Sequence, residues 1–531
     1  MYRKTFIASV GVFLFFASVI SHSANGQFSV NAQLRTRTEV RNGLGNLVLK
    51  GSKSAVFTSQ RTRLSLGHKW NRLTLGVSVQ DIRVWGQDAS SISNADGNKL
   101  MLHEGWADLI LANKADTSIK SRIIDFMSLK IGRQELSYDD VRLLGNLDWL
   151  QQGRRHDMVL LKTVHKGYQV DLGFAYNQNT DAFGITNKSY IPANVPLYVR
   201  NSSGLLVPTP AGLLPLAGAG NASSNSSKSG SPVWTNPPGT NSATQNYKSF
   251  SSLYFSRKFG QTKFSALFFN DNFGKYRIDS VGTTASGYVY GRRFITAGPS
   301  DPFDYSGMHH RYTYGLMINH TIQGAGSAKF LVQAAYYAQS GKNRDGLKMK
   351  KAFHYTLSAT YQKNKISITP GYDVLSGNDV SSAEDEKFDP LYGTPHKHWG
   401  YMDYFYVGTG SPGGGLNNSY LKLKYTGRTI SFGLDFHNFF LNKQMTKDDG
   451  SYVNKQLGNE LDFIFNYNMN KFTNVELGYS SMFATGSMPF AKGQATIDAN
   501  AEAYRRSGNW FYAMLRFTPE FFSTNSTIAK L

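Results

Sequence analysis

The sequence contains no cysteine, which excludes a disulfide framework, a thiolate nucleophile and any sulfur-ligated metal site. Long apolar runs are missing as well. After residue 26, no stretch reaches the ~18 apolar residues that a membrane-spanning helix requires. Acidic side chains are scarce beside basic ones: 36 Asp and Glu face 57 Lys and Arg, a formal net charge of +21. Such an excess attracts anions, whether nucleic acid, anionic lipid or an acidic polysaccharide. Enzyme signatures are absent too, with no G-x-S-x-G, no H-E-x-x-H and no P-loop. His103 and Glu104 are adjacent, but no second histidine follows at the spacing a zinc protease needs. His309, His310, His396 and His398 read as solvated or hydrogen-bonded loop residues. No catalytic residue, metal or cofactor is therefore expected.

What the chain does have is aromatic and glycine-rich. It carries 30 Tyr, 35 Phe and 51 Gly, yet its mean hydropathy is only −0.36. A transmembrane barrel yields this mixture, because its lipid face is apolar while its lumen and loops are polar. At the N-terminus, Arg3 and Lys4 precede an apolar run at residues 6–20, and a small, polar stretch follows at residues 21–26. This pattern predicts a secretory signal peptide over residues 1–26, cleaved after Gly26. Loss of Arg3 and Lys4 would reduce the net charge from +21 to +19. An exported chain without a spanning helix can cross a membrane only with strands.

Alternation with period two recurs throughout the remainder. Phe353, Tyr355, Leu357, Ala359 and Tyr361 share one face, opposite His354, Thr356, Ser358 and Thr360. Residues 168–176 and 430–440 repeat the pattern, with Leu172, Phe174, Leu434 and Phe436 on the apolar side. About eighteen such segments occur, an even number that a closed antiparallel barrel accommodates. Short connections alternate with long ones, as periplasmic turns alternate with extracellular loops. The prediction is an all-β protein: a signal peptide at 1–26, a transmembrane antiparallel barrel at 27–518 and a C-terminal tail at 519–531. A loop of about residues 178–246, rich in Ser, Asn, Gly and Pro, interrupts the barrel and is a candidate lid over the pore.

The first two strands carry the chemistry. Gln33, Arg35, Arg37, Glu39 and Arg41 fall on one face, and Arg61 and Arg63 repeat the arrangement. A charge facing lipid at mid-depth costs ~2–4 kcal/mol, so five outward arginines would cost on the order of 10 kcal/mol. They must face the lumen. Arg83 and Asp81 follow an apparent phase slip after Val79, and Arg133, Arg142, Arg154 and Arg155 cluster further on. Guanidinium groups stay ionised and present a rigid fork to carboxylates, so an anionic solute suits such a wall. Neighbouring carboxylates would hold the forks in place and soften the field.

At these residues the sequence resembles the alginate export family of outer-membrane proteins. The matching stretches are residues 35–41 (RTRTEVR), 61–66 (RTRLSL), 80–86 (QDIRVWG) and, most distinctive, 131–157 (IGRQELSYDDVRLLGNLDWLQQGRRHD). Residues 388–405 (FDPLYGTPHKHWGYMDYF) and 457–462 (LGNELD) extend it, so that it runs from about residue 28 to 518. The resemblance implies an eighteen-stranded barrel and passive export of an acidic polysaccharide through an arginine-lined constriction. It assigns Arg35, Arg37, Arg61, Arg63, Arg83, Arg133, Arg142, Arg154 and Arg155 to the pore. Glu39, Asp81, Glu104, Asp139, Asp140 and Asp157 become the constriction's carboxylates. Uptake of small acidic solutes is the alternative. Expected partners are the lipid and lipopolysaccharide of a Gram-negative outer membrane, the barrel-assembly machinery and the anionic solute. The chain is expected to be monomeric and to bind no nucleic acid.

Overall fold

The structure, a computed structural model, describes residues 26–86, 100–177, 195–216, 247–283, 287–294, 308–407 and 412–524. The expected signal peptide (except Gly26), residues 178–194 and 217–246 of the long loop, and residues 525–531 of the tail lie outside these.

Strands dominate. The first seven are β1 (Gly26–Asn42), β2 (Ala55–Trp70), β3 (Leu73–Val84), β4 (Met101–Asn113), β5 (Phe126–Gln134), β6 (His156–His165) and β7 (Tyr168–Tyr176). Three short strands follow in the long loop, β8 (Tyr198–Arg200), β9 (Leu206–Pro208) and β10 (Leu213–Pro215). Next come β11 (Ser249–Phe259), β12 (Thr262–Gly274), β13 (Tyr276–Gly282), β14 (Tyr288–Phe294), β15 (Met308–Gln323), β16 (Lys329–Lys342), β17 (Lys348–Lys363) and β18 (Ile366–Leu375). The chain continues with β19 (Leu416–Thr426), β20 (Ile430–Phe440), β21 (Gln456–Asn470), β22 (Thr473–Ala484), β23 (Ser507–Phe517) and β24 (Glu520–Ser523).

Eighteen long strands pair antiparallel with their neighbours, and β1 closes the ring on β23. Closure leaves no unpaired edge, which is what allows strands to span a bilayer. The tail adds to the seal: β24 pairs with Ser29–Asn31 of β1 below the β23 contact. The small strands stand apart, β8 with β9 and β10 with β14 and β13. Among the described residues no helix is long and apolar enough to cross a membrane.

The two faces separate as the alternation predicts. On β17, Leu357 is 56% exposed while His354 and Thr356 are 0% and 2% exposed. The outer surface is therefore the apolar one, with Leu172, Phe174, Phe432, Leu434 and Phe436 all exposed on it. What the alternation does not predict is how the interior is filled. Residues 135–155, between β5 and β6, and residues 376–407, after β18, turn inward at the end carrying the long loops. There they bury Leu144, Leu147, Trp399, Met402, Tyr404 and Phe405 almost completely. The two segments also pair with each other: the Tyr392 amide donates to Leu143 O at 2.9 Å, and the Gly145 amide to Tyr392 O at 3.0 Å. These bonds satisfy backbone groups that would otherwise be stranded inside the barrel.

Candidate functional site

Arg35 of β1 and Arg61 of β2 are directly opposed across the strand pair, and Arg516 of β23 is opposed to Arg35 on its other side. Opposed residues share a face, so three arginines form a row across three neighbouring strands. Like charges placed this way repel, and the row needs compensation. Residues 148–151 of the first inner segment supply it. Asp148 Oδ1 accepts from Arg61 Nη1 at 2.8 Å, Asp148 Oδ2 accepts from Arg35 Nη1 at 3.3 Å, and Arg63 Nη1 lies 3.9 Å from Oδ1. Backbone carbonyls add to this. Arg35 also donates to Asp148 O, Arg37 to Trp149 O and Arg61 to Gln151 O, at 2.8, 2.9 and 3.0 Å. The Arg37 guanidinium stacks on Trp149, 4.3 Å from the ring centroid.

The arginines thus sit on the inner face, but Arg35, Arg37 and Arg61 are only 1%, 3% and 0% exposed. They lie beneath the segment and do not line open water. Asp148 keeps a 41% exposed side chain. Burial acts to raise its pKa, and the Arg61 and Arg35 charges outweigh that and hold it below the usual aspartate value. Glu39 serves a neighbouring function: its carboxylate takes Arg37 at 2.9 Å, Arg41 at 2.8 Å and the Trp510 indole at 3.0 Å.

Arg142 lies deeper in the first segment. It bridges Asp140 and Asp373, each at 3.0 Å, and meets His354 Nε2 at 3.0 Å. Burial opposes its charge, and Asp140 and Asp373 overcome that and raise its pKa. Asp139 turns to the wall instead, accepting from Tyr254, Ser265 and Lys263 at 2.9, 2.9 and 3.1 Å. Arg154 is buried and donates to the Gly393 carbonyl of the second segment at 2.5 Å. These contacts hold the segment in place. Arg155 is half-buried and reaches the Gln152 carbonyl at 3.5 Å. Glu104 accepts the Glu135 amide at 3.1 Å, and Glu135 meets His103 Nε2 at 3.0 Å. These three offer ligand atoms within 4.8 Å of one another, a grouping with metal-holding geometry that adjacency of His103 and Glu104 alone did not reveal.

Four assignments need correction. Arg83 and Asp81 lie on the outer face, because the β2–β3 register is unbroken and pairs them with Gln60 and Thr62. The phase slip is on β4, where His103 is the extra residue between Ser78–Glu104 and Val79–Leu102. Arg133 and Asp157 are likewise outside, opposed to each other in line with Ile131 and Val159. Their two bonds, both 2.8 Å, neutralise the pair on the lipid-side surface near the loop end. Asp81 does the same for Arg83 at 2.6 Å.

Sequence reading missed Asp148, Arg516 and the acidic residues across the barrel. Arg516 was detectable: Trp510, Tyr512, Met514 and Arg516 alternate with Phe511, Leu515 and Phe517. On β21, Glu460 and Asp462 point inward and are almost fully buried. They hold the second segment by its backbone, Glu460 accepting the Met402 amide at 2.8 Å and Asp462 the Tyr401 amide at 3.4 Å. His396 and His398 belong to this segment and are buried, His396 Nδ1 lying 2.7 Å from Asp403.

A closed eighteen-strand antiparallel barrel with an apolar outside and a charged inside is an outer-membrane channel fold. Within that class, residues 27–176 match the family described as alginate export, and over them the resemblance is confirmed. The blocks at 388–405 and 457–462 fall outside the matched residues. Three solved Pseudomonas aeruginosa proteins share the fold. OccK2 (OpdF) is 10% identical with a TM-score of 0.51, covering 93% of this chain and 98% of that one. OccK9 (OpdG) is 11% identical with a TM-score of 0.50, covering 93% and 98%. The outer membrane protein opdK is 8% identical with a TM-score of 0.50, covering 94% and 99%. No curated protein matches the sequence.

Proposed function

We propose that this outer-membrane barrel is a non-enzymatic channel whose solute is an anionic polysaccharide of the alginate type, passed by diffusion along the arginines of β1, β2 and β23. The observation that carries this reading is the row Arg61–Arg35–Arg516, with Arg37 and Arg63 beside it. Maintaining three guanidinium groups on adjacent strands costs repulsion and desolvation, which stability alone does not reward. Their forks suit carboxylates. The family match over residues 27–176 supports the polysaccharide as solute. The tight cover of residues 148–151 favours one other reading, uptake of small acidic solutes that present a single carboxylate.

Planar-bilayer conductance tests the proposal. A preference for chloride over potassium is expected, with the current reduced by added polyuronate and unchanged by a neutral glucan. Cation preference would refute it. Block by a short monocarboxylate but not by polyuronate would favour the small-solute reading.

A further inference from the structure

The Asp148 carboxylate is held as a bound ligand would be. One oxygen takes Arg61 and the other takes Arg35, so a single carboxylate bridges two opposed guanidinium groups. Gln33 and Gln151 fix the remaining faces of the forks: Gln33 Oε1 accepts Arg61 Nε at 2.9 Å, and Gln151 Oε1 accepts Arg35 Nε at 2.9 Å. The arginines are therefore aimed before any solute arrives, and their target position opens to water through the exposed side of Asp148. The next arm of the row is uncommitted. Arg516 Nε is buried with no hydrogen-bond partner among the described residues.

We propose that Asp148 is a built-in occupant of the solute's carboxylate site, and that residues 146–152 must leave for a solute to take the Arg61–Arg35–Arg516 row. This rests on the anionic-solute reading and adds which group the solute replaces and which segment moves. At two points the inner segments meet the wall through groups of opposite sign. Residues 148–151 present a carboxylate and carbonyls to arginines, and residues 401–402 present amides to Glu460 and Asp462. A carboxylate-bearing solute on the Arg61–Arg35–Arg516 row competes with the first latch, whereas the segment at 376–407 is held elsewhere, by Glu460 and Asp462 on its amides and by Arg311, already paired with Asp271, on Asp389. Arg516, with its unbonded Nε, offers the site for a second carboxylate. A chain carrying several carboxylates then displaces Asp148 more effectively than one carrying a single carboxylate.

The chain has no cysteine of its own, so a crosslink is unambiguous. Gln151 Nε2 donates to Ser59 Oγ at 3.0 Å, so the two positions lie within the span of a short bifunctional thiol reagent, and Ser59→Cys with Gln151→Cys is the pair to join. Folded barrel, verified by its heat-modifiable gel mobility, is treated with a short bis-methanethiosulfonate alone, with a uronic acid trimer, and with a neutral trisaccharide. The expected result is crosslinking slowed at least several-fold by the uronate trimer only, with Arg516→Gln weakening that protection. Reduced protein conducts anions, and crosslinked protein loses at least ten-fold. Equal crosslinking with and without the uronate, or equal current in both states, overturns the proposal. Protection by uronate in a barrel that shows no anion preference would keep the carboxylate site and remove the channel reading. A barrel silent in both states and unprotected by uronate would remove both. Asp148→Asn, which keeps the shape and loses the charge, should raise the current of the reduced protein.

Discussion

Trp149 lies flat on His396, their ring centroids 4.2 Å apart and their planes 8° from parallel. One ring belongs to the first inner segment and the other to the second, so this stack joins the two parts that fill the barrel. Arg37 covers the Trp149 ring at 4.3 Å, and Trp510 and Tyr512 of the wall meet it edge-on. Trp149→Ala should loosen the first segment while leaving the barrel folded. Bilayer current is expected to rise, with protease cutting within residues 135–155 of the folded protein.

Inner and outer arginines should behave differently. Removing one partner of a buried ion pair costs ~3–5 kcal/mol, so Arg61→Gln should destabilise the segment and reduce anion preference several-fold. Arg133→Gln breaks a half-exposed pair worth ~0–1 kcal/mol and should leave selectivity as it is. Reversal potentials under a salt gradient, measured on both variants, test the contrast. A selectivity change in Arg133→Gln as large as in Arg61→Gln would contradict the placement of Arg133 outside.

Acid should release the first segment. The Asp148 pKa is lowered in the folded state, so its bonds stabilise the segment above the ordinary aspartate value and lose that effect as pH falls through the lowered one. Arg35, Arg61 and Arg63 are the charged groups that face it. Conductance should therefore increase below about pH 4, and Asp148→Asn should abolish this acid response.

Gly400 stands where any side chain is strained. Its φ is +88°, and a Cβ there would meet the Glu460 carboxylate at 2.5 Å. Gly400→Ala should cost ~1–3 kcal/mol through backbone strain and push residues 400–402 off Glu460 and Asp462. Raised current with unchanged heat-modifiability is the expected outcome.

Strand number and strand phase were legible from the sequence because each rests on local rules. Side chains alternate by covalent geometry, and lipid penalises a charge wherever it faces outward, so Arg35, Arg37, Arg61 and Arg63 could be placed on the inner face one strand at a time. The same reasoning failed for Arg83 and Arg133. Both sit near the loop end of their strands, where the outward penalty fades and an opposed or alternate carboxylate removes the rest. The pattern after Val79 suggests a slip that would bring Arg83 inside, whereas the slip belongs to His103 on the neighbouring strand.

The amino-acid sequence by itself determined the barrel of eighteen strands and the charged inner face of β1 and β2, since these follow from period and the cost of charge in lipid. Only the tertiary structure decided what the arginines touch. Residues 135–155 and 376–407 both carry Asp, Gly and Asn, and nothing local shows whether a connection of that kind meets solvent or the inside of its own barrel. That choice was made by partners far along the chain: Asp148 for Arg35 and Arg61, Asp373 for Arg142, Glu460 for the Met402 amide. The pairing energies depend on distances that exist only once the ring has closed.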